Sequence, residues 1–335
     1  MSAIRSDLTD AEFDRTALSL LRFQSEANPV YRRFVLGLGL DPDRLGQWRE
    51  FPALPAAAFR DQAVVTFPSD QATLVFETSG TTAAQTGKHY VADPRYYEKA
   101  LLEGFRLFLP DLCGHRWVSL IPRFEELPHS SLAYMIRHLG RNIPQTEPEY
   151  FCDGKYRMDW DGLRQSLSCD MDRPVALFGT SFALASAAEH FLEQTMQWQL
   201  PEESVVFDTG GYKGRRKELA CEDLADLIGR AFGIHPQRIY NEYGMTELSS
   251  QGYACLDEGI HRFPPWLKAV IRDPRTGKAC EPGEMGLVQF YDLANVGSVM
   301  ALGTLDLAVE KGNGIRLMGR MPASELRGCS LPYEA

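Results

Sequence analysis

Three features of the chain predict an α/β fold. The apolar run TLVFE enters a loop rich in hydroxyls and glycine, and a helical segment follows from Asp93. RPVALFGTSFALASAAEHFLEQ reads as a buried strand, a tight turn at Gly179 and a helix. From about Leu267, LKAVIRD and GLVQFYD alternate like strands of a small antiparallel subdomain and flank the turn DPRTGK.

In chain order, Thr9 and Glu12 form a capping-box pattern ahead of Phe13, Ala17, Leu20 and Leu21, which recur at helical spacing. Pro52 and Pro55 in FPALPAAAF interrupt regular structure and predict a surface connector. Asp93 and Pro94 start a helix that carries Tyr97, Leu101, Phe105 and Phe108 on one face. EDLADLIGRAFG is an amphipathic helix stopped by Gly233, and RIYNEYGMTELSS is a short strand followed by a polar loop.

Composition narrows the class. In 335 residues, 35 Lys and Arg stand against 45 Asp and Glu, a net charge of −10, which argues against a general nucleic-acid binder. Hydrophobic residues make up 44%, enough to bury a sizeable core. No segment approaches the apolar length of a membrane span, and the first thirty residues do not read as a secretory signal. The seven cysteines are scattered without a C-x-x-C pair, which predicts neither a disulfide framework nor a zinc site and fits the reducing cytoplasm.

Two segments carry candidate chemistry. The 78–88 loop (Thr78, Ser79, Gly80, Thr81, Thr82 and on to Lys88) offers hydroxyls, accessible backbone N–H groups and an ammonium, a set suited to polyphosphate oxygens. It is not a Walker A loop, because Thr82 and His89 stand where that pattern needs Gly and Ser or Thr. Taken alone it reads equally well as a solvated turn. In Tyr243, Gly244, Met245, Thr246 and Glu247, an aromatic face for a base, a hydroxyl for a phosphate and a carboxylate for Mg²⁺ lie within five residues. A strand end with capping residues is the plain alternative.

TSGTT…GK, TGGYKG, YGMTE, Thr304-Leu305-Asp306 and Gly319-Arg320, read in order, resemble the core motifs of the adenylate-forming enzymes. The chain is more similar still to one branch, the LuxE-type acyl-protein synthetases, through LLRFQSEANPVYRRF, FPALPAAAF, LPHSSLAYMI, FGTSFAL, DTGGYKGR, NEYGMTELSSQGY and LRGCSL. The resemblance implies the N-terminal domain architecture of adenylate-forming ligases: layered sheets with helices, over 1–320, with the antiparallel subdomain at about 267–318. It implies conversion of a carboxylic acid and ATP into an acyl-adenylate and pyrophosphate, then acyl transfer to a thiol or another nucleophile. The acid would be fatty, aryl or polyketide-derived, and the thiol that of the chain's own Cys329, a carrier protein or CoA.

Residue by residue, the resemblance assigns Ser79, Gly80, Thr81, Thr82 and Lys88, with Thr78 at the loop's start, to the β and γ phosphates. Gly210, Gly211 and Tyr212 would border adenine and the acyl group; Tyr243, followed by Gly244, would stack on adenine. Thr246 would meet the α-phosphate, Glu247 would hold Mg²⁺, Asp306 the ribose hydroxyls, and Arg320 the ribose or phosphate. His129, Phe178, Gly179 and Phe182 would lie at the acid pocket.

The sequence departs from the superfamily in one respect. Fifteen residues follow Arg320, where adenylate-forming enzymes usually carry a further domain with a catalytic lysine. Either this branch does without that domain, or it completes the second half-reaction differently, or the sequence is incomplete. In the 321–335 tail, Cys329 beside Arg327 matches the cysteine that takes the acyl group in the resembling family. Its plain alternative is an incidental packing residue.

A competing class is a serine hydrolase. Gly179, Thr180, Ser181, Phe182 and Ala183 sit between strand and helix as a nucleophile elbow would, although Ala183 replaces the final glycine, and His235 or His261 would have to complete the triad. A degenerate nucleotide-binding protein is the non-enzymatic alternative.

Overall fold

The computed structural model describes residues 1–78, 86–144, 146–209 and 219–322. In chain order its helices and strands are α1 (Asp10–Ala27), α2 (Pro29–Gly37), β1 (Leu54–Pro55), α3 (Ala58–Asp61), β2 (Leu74–Glu77), β3 (Lys88–Val91) and α4 (Pro94–Phe108). Then come β4 (Arg116–Ser119), α5 (Ser131–Asn142), β5 (Glu149–Tyr150), α6 (Trp160–Ser168), β6 (Val175–Gly179), α7 (Ser181–Glu193), β7 (Val205–Thr209), α8 (Cys221–Phe232) and β8 (Ile239–Tyr243). The last are β9 (Gly252–Cys255), β10 (Leu267–Arg272), β11 (Met285–Asp292), β12 (Ala301–Lys311) and β13 (Gly314–Arg320). The chain divides into two compact units, one of Met1–Leu107, Met245–Gly252 and Ile260–Ala335, the other of Phe108–Gly244 and Tyr253–Gly259.

In the first unit the expected capping box starts α1. Thr9 Oγ1 accepts the Glu12 N–H at 3.3 Å, and the Glu12 carboxylate accepts the Thr9 N–H at 3.0 Å. The helix buries Phe13, Ala17 and Leu21 together with Gln24, which is 0% exposed. Gln24 donates to the Asn295 carbonyl at 2.9 Å and accepts the Met300 N–H at 2.9 Å, so its buried amide is satisfied by the far end of the chain. The predicted antiparallel strands are present. β10, β11, β12 and β13 pair in sequence, and β1 joins the edge of β12 in parallel.

That last pairing corrects the reading of FPALPAAAF as a surface connector. Phe51, Pro52, Ala53 and Leu54 are buried, and Leu54 and Pro55 register against Leu302 and Gly303. Proline is tolerated there because β1 is a two-residue edge strand, where a missing N–H removes little of the ladder. A second difference lies after the 78–88 loop. The strand β3 intervenes before α4 and pairs antiparallel with β2, so the loop closes a hairpin. KHYV escaped notice because it is short and opens with charged and polar residues.

The second unit is built on a sheet ordered β5-β4-β6-β7-β8-β9, with parallel pairing from β5 to β8. Alternation along these strands places Val118, Leu177, Val206 and Ile239 on the face covered by α6, α7 and α8, in a core with Leu163, Leu184, Phe191, Ile228 and Phe232. The opposite parity carries an aromatic layer: Trp117, Phe178, Phe207 and Tyr240 follow one another at centroid separations of 4.5, 4.7 and 5.6 Å. Strand, turn and helix meet at Gly179, where a methyl group would lie 2.8 Å from Leu184 Cγ. Thr180 caps α7 by accepting the Ala183 N–H, and Gly233 ends α8 in the left-handed region at φ 71°. Among the described residues no helix is long and apolar enough to cross a membrane.

Candidate active site

The base of the hydroxyl-rich loop is a closed hairpin. The Thr78 N–H donates to the Gly87 carbonyl at 2.9 Å, and the Gly87 N–H returns a bond to Thr78 Oγ1 at 2.8 Å. Next down the ladder, Glu77 and Lys88 are register partners and pair at 3.5 Å; the following rung is Phe76 with His89. Alternation sends the His89 ring to the opposite face from Lys88, where it is 2% exposed and lies perpendicular to Phe59 with ring centroids 5.8 Å apart.

The segment after Tyr243 folds into a turn, with the Leu248 N–H donating to the Met245 carbonyl at 3.1 Å. Buried side chains hold this turn by its backbone. His89 Nδ1 lies 2.6 Å from the Thr246 carbonyl, and Asn295 donates to the Glu247 carbonyl at 2.8 Å. Asp292, 0% exposed, accepts the Ser249 N–H at 3.0 Å and the Ser250 hydroxyl at 2.8 Å. Burial pushes the Asp292 carboxyl up to about 6, and these hydrogen bonds oppose the push.

The Glu247 side chain is buried, and burial raises its pKa against the pull of Arg320 and Arg60. Asp306 on β12 and Arg320 on β13 are register partners in the same unit, with Nη1 3.3 Å from Oδ1. The donor set suits Mg²⁺, which commonly takes one or two carboxylates and completes its shell with substrate phosphates and water. Glu247 supplies one such carboxylate, and burial raises its pKa.

In the second unit, Tyr243 ends β8, and Gly244 follows it. One residue earlier Glu242 accepts the Thr209 hydroxyl, and loss of hydration pushes its carboxyl up to about 7. Asp208 is pushed up to about 6 by burial, although it accepts Ser181 Oγ at 2.6 Å and Asn241 Nδ2 at 2.9 Å. These groups gather at the C-terminal ends of β7 and β8, the edge at which open parallel sheets bind ligands. Phe178 is enclosed between Trp117 and Phe207 and is 1% exposed. Phe182 packs partly buried against the helix-covered core, and His129 is exposed in the turn before α5.

The Ser181 geometry disposes of the hydrolase reading. A nucleophilic serine needs a base such as imidazole on its hydroxyl. Ser181 instead donates straight to a buried carboxyl from the first turn of α7, which makes it a structural partner of Asp208.

Thr78, Lys88, His129, Phe178, Gly179, Phe182, Tyr243, Gly244, Thr246, Glu247, Asp306 and Arg320 are therefore placed, whereas Ser79, Gly80, Thr81, Thr82, Gly210, Gly211, Tyr212 and Cys329 lie outside the described residues. Sequence reading missed Asp208, Glu242, Asp292, Asn295 and Arg60 as contributors, and it used His89 only as a mismatch to Walker A. A carboxylate inside an apolar strand, as in VVFDT, was the available signal for Asp208; nothing local distinguishes Asn295.

Comparison with known proteins identifies the family and the fold. The model of the LuxE family, described as acyl-protein synthetase, matches residues 161–334. The long-chain-fatty-acid–luciferin-component ligase of Vibrio harveyi is 21% identical over 323 residues, spanning 91% of this chain and 82% of the relative. Its counterpart in Aliivibrio fischeri is 20% identical over 337 residues, spanning 95% and 86%. Among solved structures, 2-hydroxyisobutyryl-CoA ligase in the postadenylation state superposes with a TM-score of 0.71 at 18% identity, over 96% of this chain and 70% of that one. ATP-bound MatB from Rhodopseudomonas palustris gives 0.55 at 14% identity, over 76% and 49%. The fold is that of the adenylate-forming ligases, and the chain belongs to the LuxE family of acyl-protein synthetases.

Proposed function

We propose that this ligase activates a fatty acid with MgATP and passes the acyl group to a protein thiol. The observation that supports it best is the arrangement within the first unit. The Thr246 and Glu247 turn, the Asp306–Arg320 pair and the closed base of the Thr78 to Lys88 loop belong to one compact body. An acid carboxylate must approach an α-phosphorus already surrounded by negative oxygens, so the reaction needs fixed cations and a metal.

In this reading a carboxylate oxygen attacks the α-phosphorus, the bond to the bridging oxygen breaks, and pyrophosphate leaves with its electron pair. Lys88 and the hydroxyls of Thr78, Ser79, Thr81 and Thr82, with the backbone at Gly80, hold the β and γ phosphates. Thr246 contacts the α-phosphate, Glu247 holds Mg²⁺, and Asp306 accepts hydrogen bonds from the ribose while Arg320 meets the ribose or phosphate. Mg²⁺ would screen the phosphate charge. Tyr243, with Gly244, and Gly210, Gly211 and Tyr212 border adenine; His129, Phe178, Gly179, Phe182 and Tyr212 shape the acid's surroundings. A thiolate then attacks the acyl carbonyl and AMP leaves, giving a thioester. Cys329 is the first candidate for that thiol, ahead of a carrier protein or CoA. A reducing cytoplasm is the compartment proposed, because the cysteines are scattered without a C-x-x-C pair.

The test is acid-dependent exchange of labelled pyrophosphate into ATP across a panel of fatty, aryl and polyketide-derived acids. Exchange with fatty acids supports the reading, whereas ADP formation in place of AMP would replace it with an acyl-phosphate mechanism.

A further inference from the structure

We propose that His89 is a positioning residue for adenylation, whose ring N–H fixes the Thr246 carbonyl and so ties the strand carrying Lys88 to the turn carrying Glu247. The inference rests on the adenylation reading of that turn. Lys88 is the first residue of β3 and faces Glu77, while the next side chain, His89, points to the other side and is buried. Its Nδ1 sits 2.6 Å from the Thr246 carbonyl oxygen. A carbonyl only accepts, so Nδ1 carries the proton.

Burial lowers the pKa of His89, against the opposing effect of hydrogen bonds to Thr246 and Asn295, so at neutral pH the ring is uncharged with a single N–H. That one proton is committed to the turn. The arrangement is braced on both sides. The ring packs perpendicular to Phe59 of α3, and Asn295, which also flanks the imidazole, donates to the carbonyl of the next residue, Glu247. Two consecutive carbonyls of the turn are thus gripped by buried side chains. The Thr246 hydroxyl and Glu247 carboxylate project from a backbone that cannot shift without breaking those bonds. The grip at Thr246 comes from the residue that follows the phosphate-loop lysine, so the α-phosphate contact and the loop base share one rigid connection. Catalytic groups gain most when supporting residues hold them within a fraction of an ångström.

Two substitutions separate positioning from packing. In His89→Asn the side-chain amide nitrogen falls close to the place of Nδ1 and restores a donor; His89→Leu fills space and offers none. Acid-dependent pyrophosphate exchange and amide hydrogen–deuterium exchange of the peptide covering residues 245–250 are measured on wild type and both variants. His89→Leu is expected to lower the exchange kcat by about 10- to 100-fold with KM for the acid unchanged, and to speed deuterium uptake at 245–250. His89→Asn should recover most of both. If His89→Leu leaves kcat and the 245–250 protection at wild-type levels, or if Asn and Leu are equally impaired, the positioning role is overturned. A wild-type enzyme that shows no exchange with any acid removes the adenylation reading instead, and the deuterium comparison still decides whether His89 fixes the turn.

Discussion

Asp306 and Arg320 stand opposite each other in the β12–β13 pairing, their side chains joined at 3.3 Å, with the carboxylate mostly buried and the guanidinium largely exposed. An ion pair so open to water contributes little to stability, at most about 1 kcal/mol. In the proposed site it would present an acceptor and a cation side by side to the nucleotide. Asp306→Ala should therefore raise KM for ATP by about 10-fold or more, as expected when a charged hydrogen bond is lost, with a small change in Tm. Steady-state exchange kinetics and thermal melts check this; a large Tm loss with unchanged KM would make the pair structural.

Glu247→Gln keeps the shape but removes the charge proposed to hold Mg²⁺. Adenylation should fall by about 10² or more, with the deficit partly offset at high Mg²⁺. Burial raises the pKa of the native carboxyl and the metal needs its ionised form, so wild-type activity at limiting Mg²⁺ should rise with pH through that raised pKa. The Gln variant should lack this dependence. Mg²⁺ titrations of exchange at several pH values provide the measurement.

Asp208 and Glu242 predict a stability profile. Burial holds their pKa values at about 6 and about 7, above those of the unfolded chain, so in the window from about 4 to about 7 the native state keeps protons that the unfolded state has lost. Their contribution is therefore present below that window and fades as pH rises through it. Glu242→Gln and Asp208→Asn should gain stability relative to wild type at pH 8 more than at pH 5, as read from urea midpoints. An equal offset at both pH values would contradict the assignment.

Ser181→Ala removes one of the two side-chain donors to Asp208. The loss should be about 1–3 kcal/mol of folding stability, the cost of leaving a buried acceptor short of a partner. Turnover in pyrophosphate exchange should stay close to wild type at temperatures where the variant is folded. Wild type should show no ATP-independent ester cleavage that this substitution abolishes.

Cys329 separates the half-reactions. Intact-protein mass spectrometry after incubation with acid, ATP and Mg²⁺ should show an acyl adduct that Cys329→Ser lacks while pyrophosphate exchange persists. The same adduct on the Ser variant would assign the thiol elsewhere.

The sequence announced elements whose physics is local. The Thr9 capping box, the turn at Gly179 and the left-handed stop at Gly233 each depend on residues within a few positions, and each stands where the pattern put it. What stayed hidden depends on partners far away in sequence. The FPALPAAAF segment is buried because β12 receives it, and Ser181 is no nucleophile because Asp208 arrives from the next strand. The same holds for the candidate site: Glu247 stood out by type and spacing within YGMTE, and Asp306 only through the resemblance to the adenylate-forming motifs. The buried side chains that hold the turn, His89, Asn295 and Asp292, come from separate elements, and no local pattern joins them to it.

The bonds from Gln24 to Asn295 and Met300, with the pairing of Leu54 to Leu302, have a consequence for biosynthesis. A chain leaves the ribosome N-terminus first, and here α1 and β1 meet their partners only after some three hundred residues have been made. The Phe108–Gly244 segment forms most of a compact unit by itself and is complete well before then. Nascent chains should therefore gain protease resistance first in this middle segment, with the N-terminal helix exposed and available to chaperones until residues near 300 emerge.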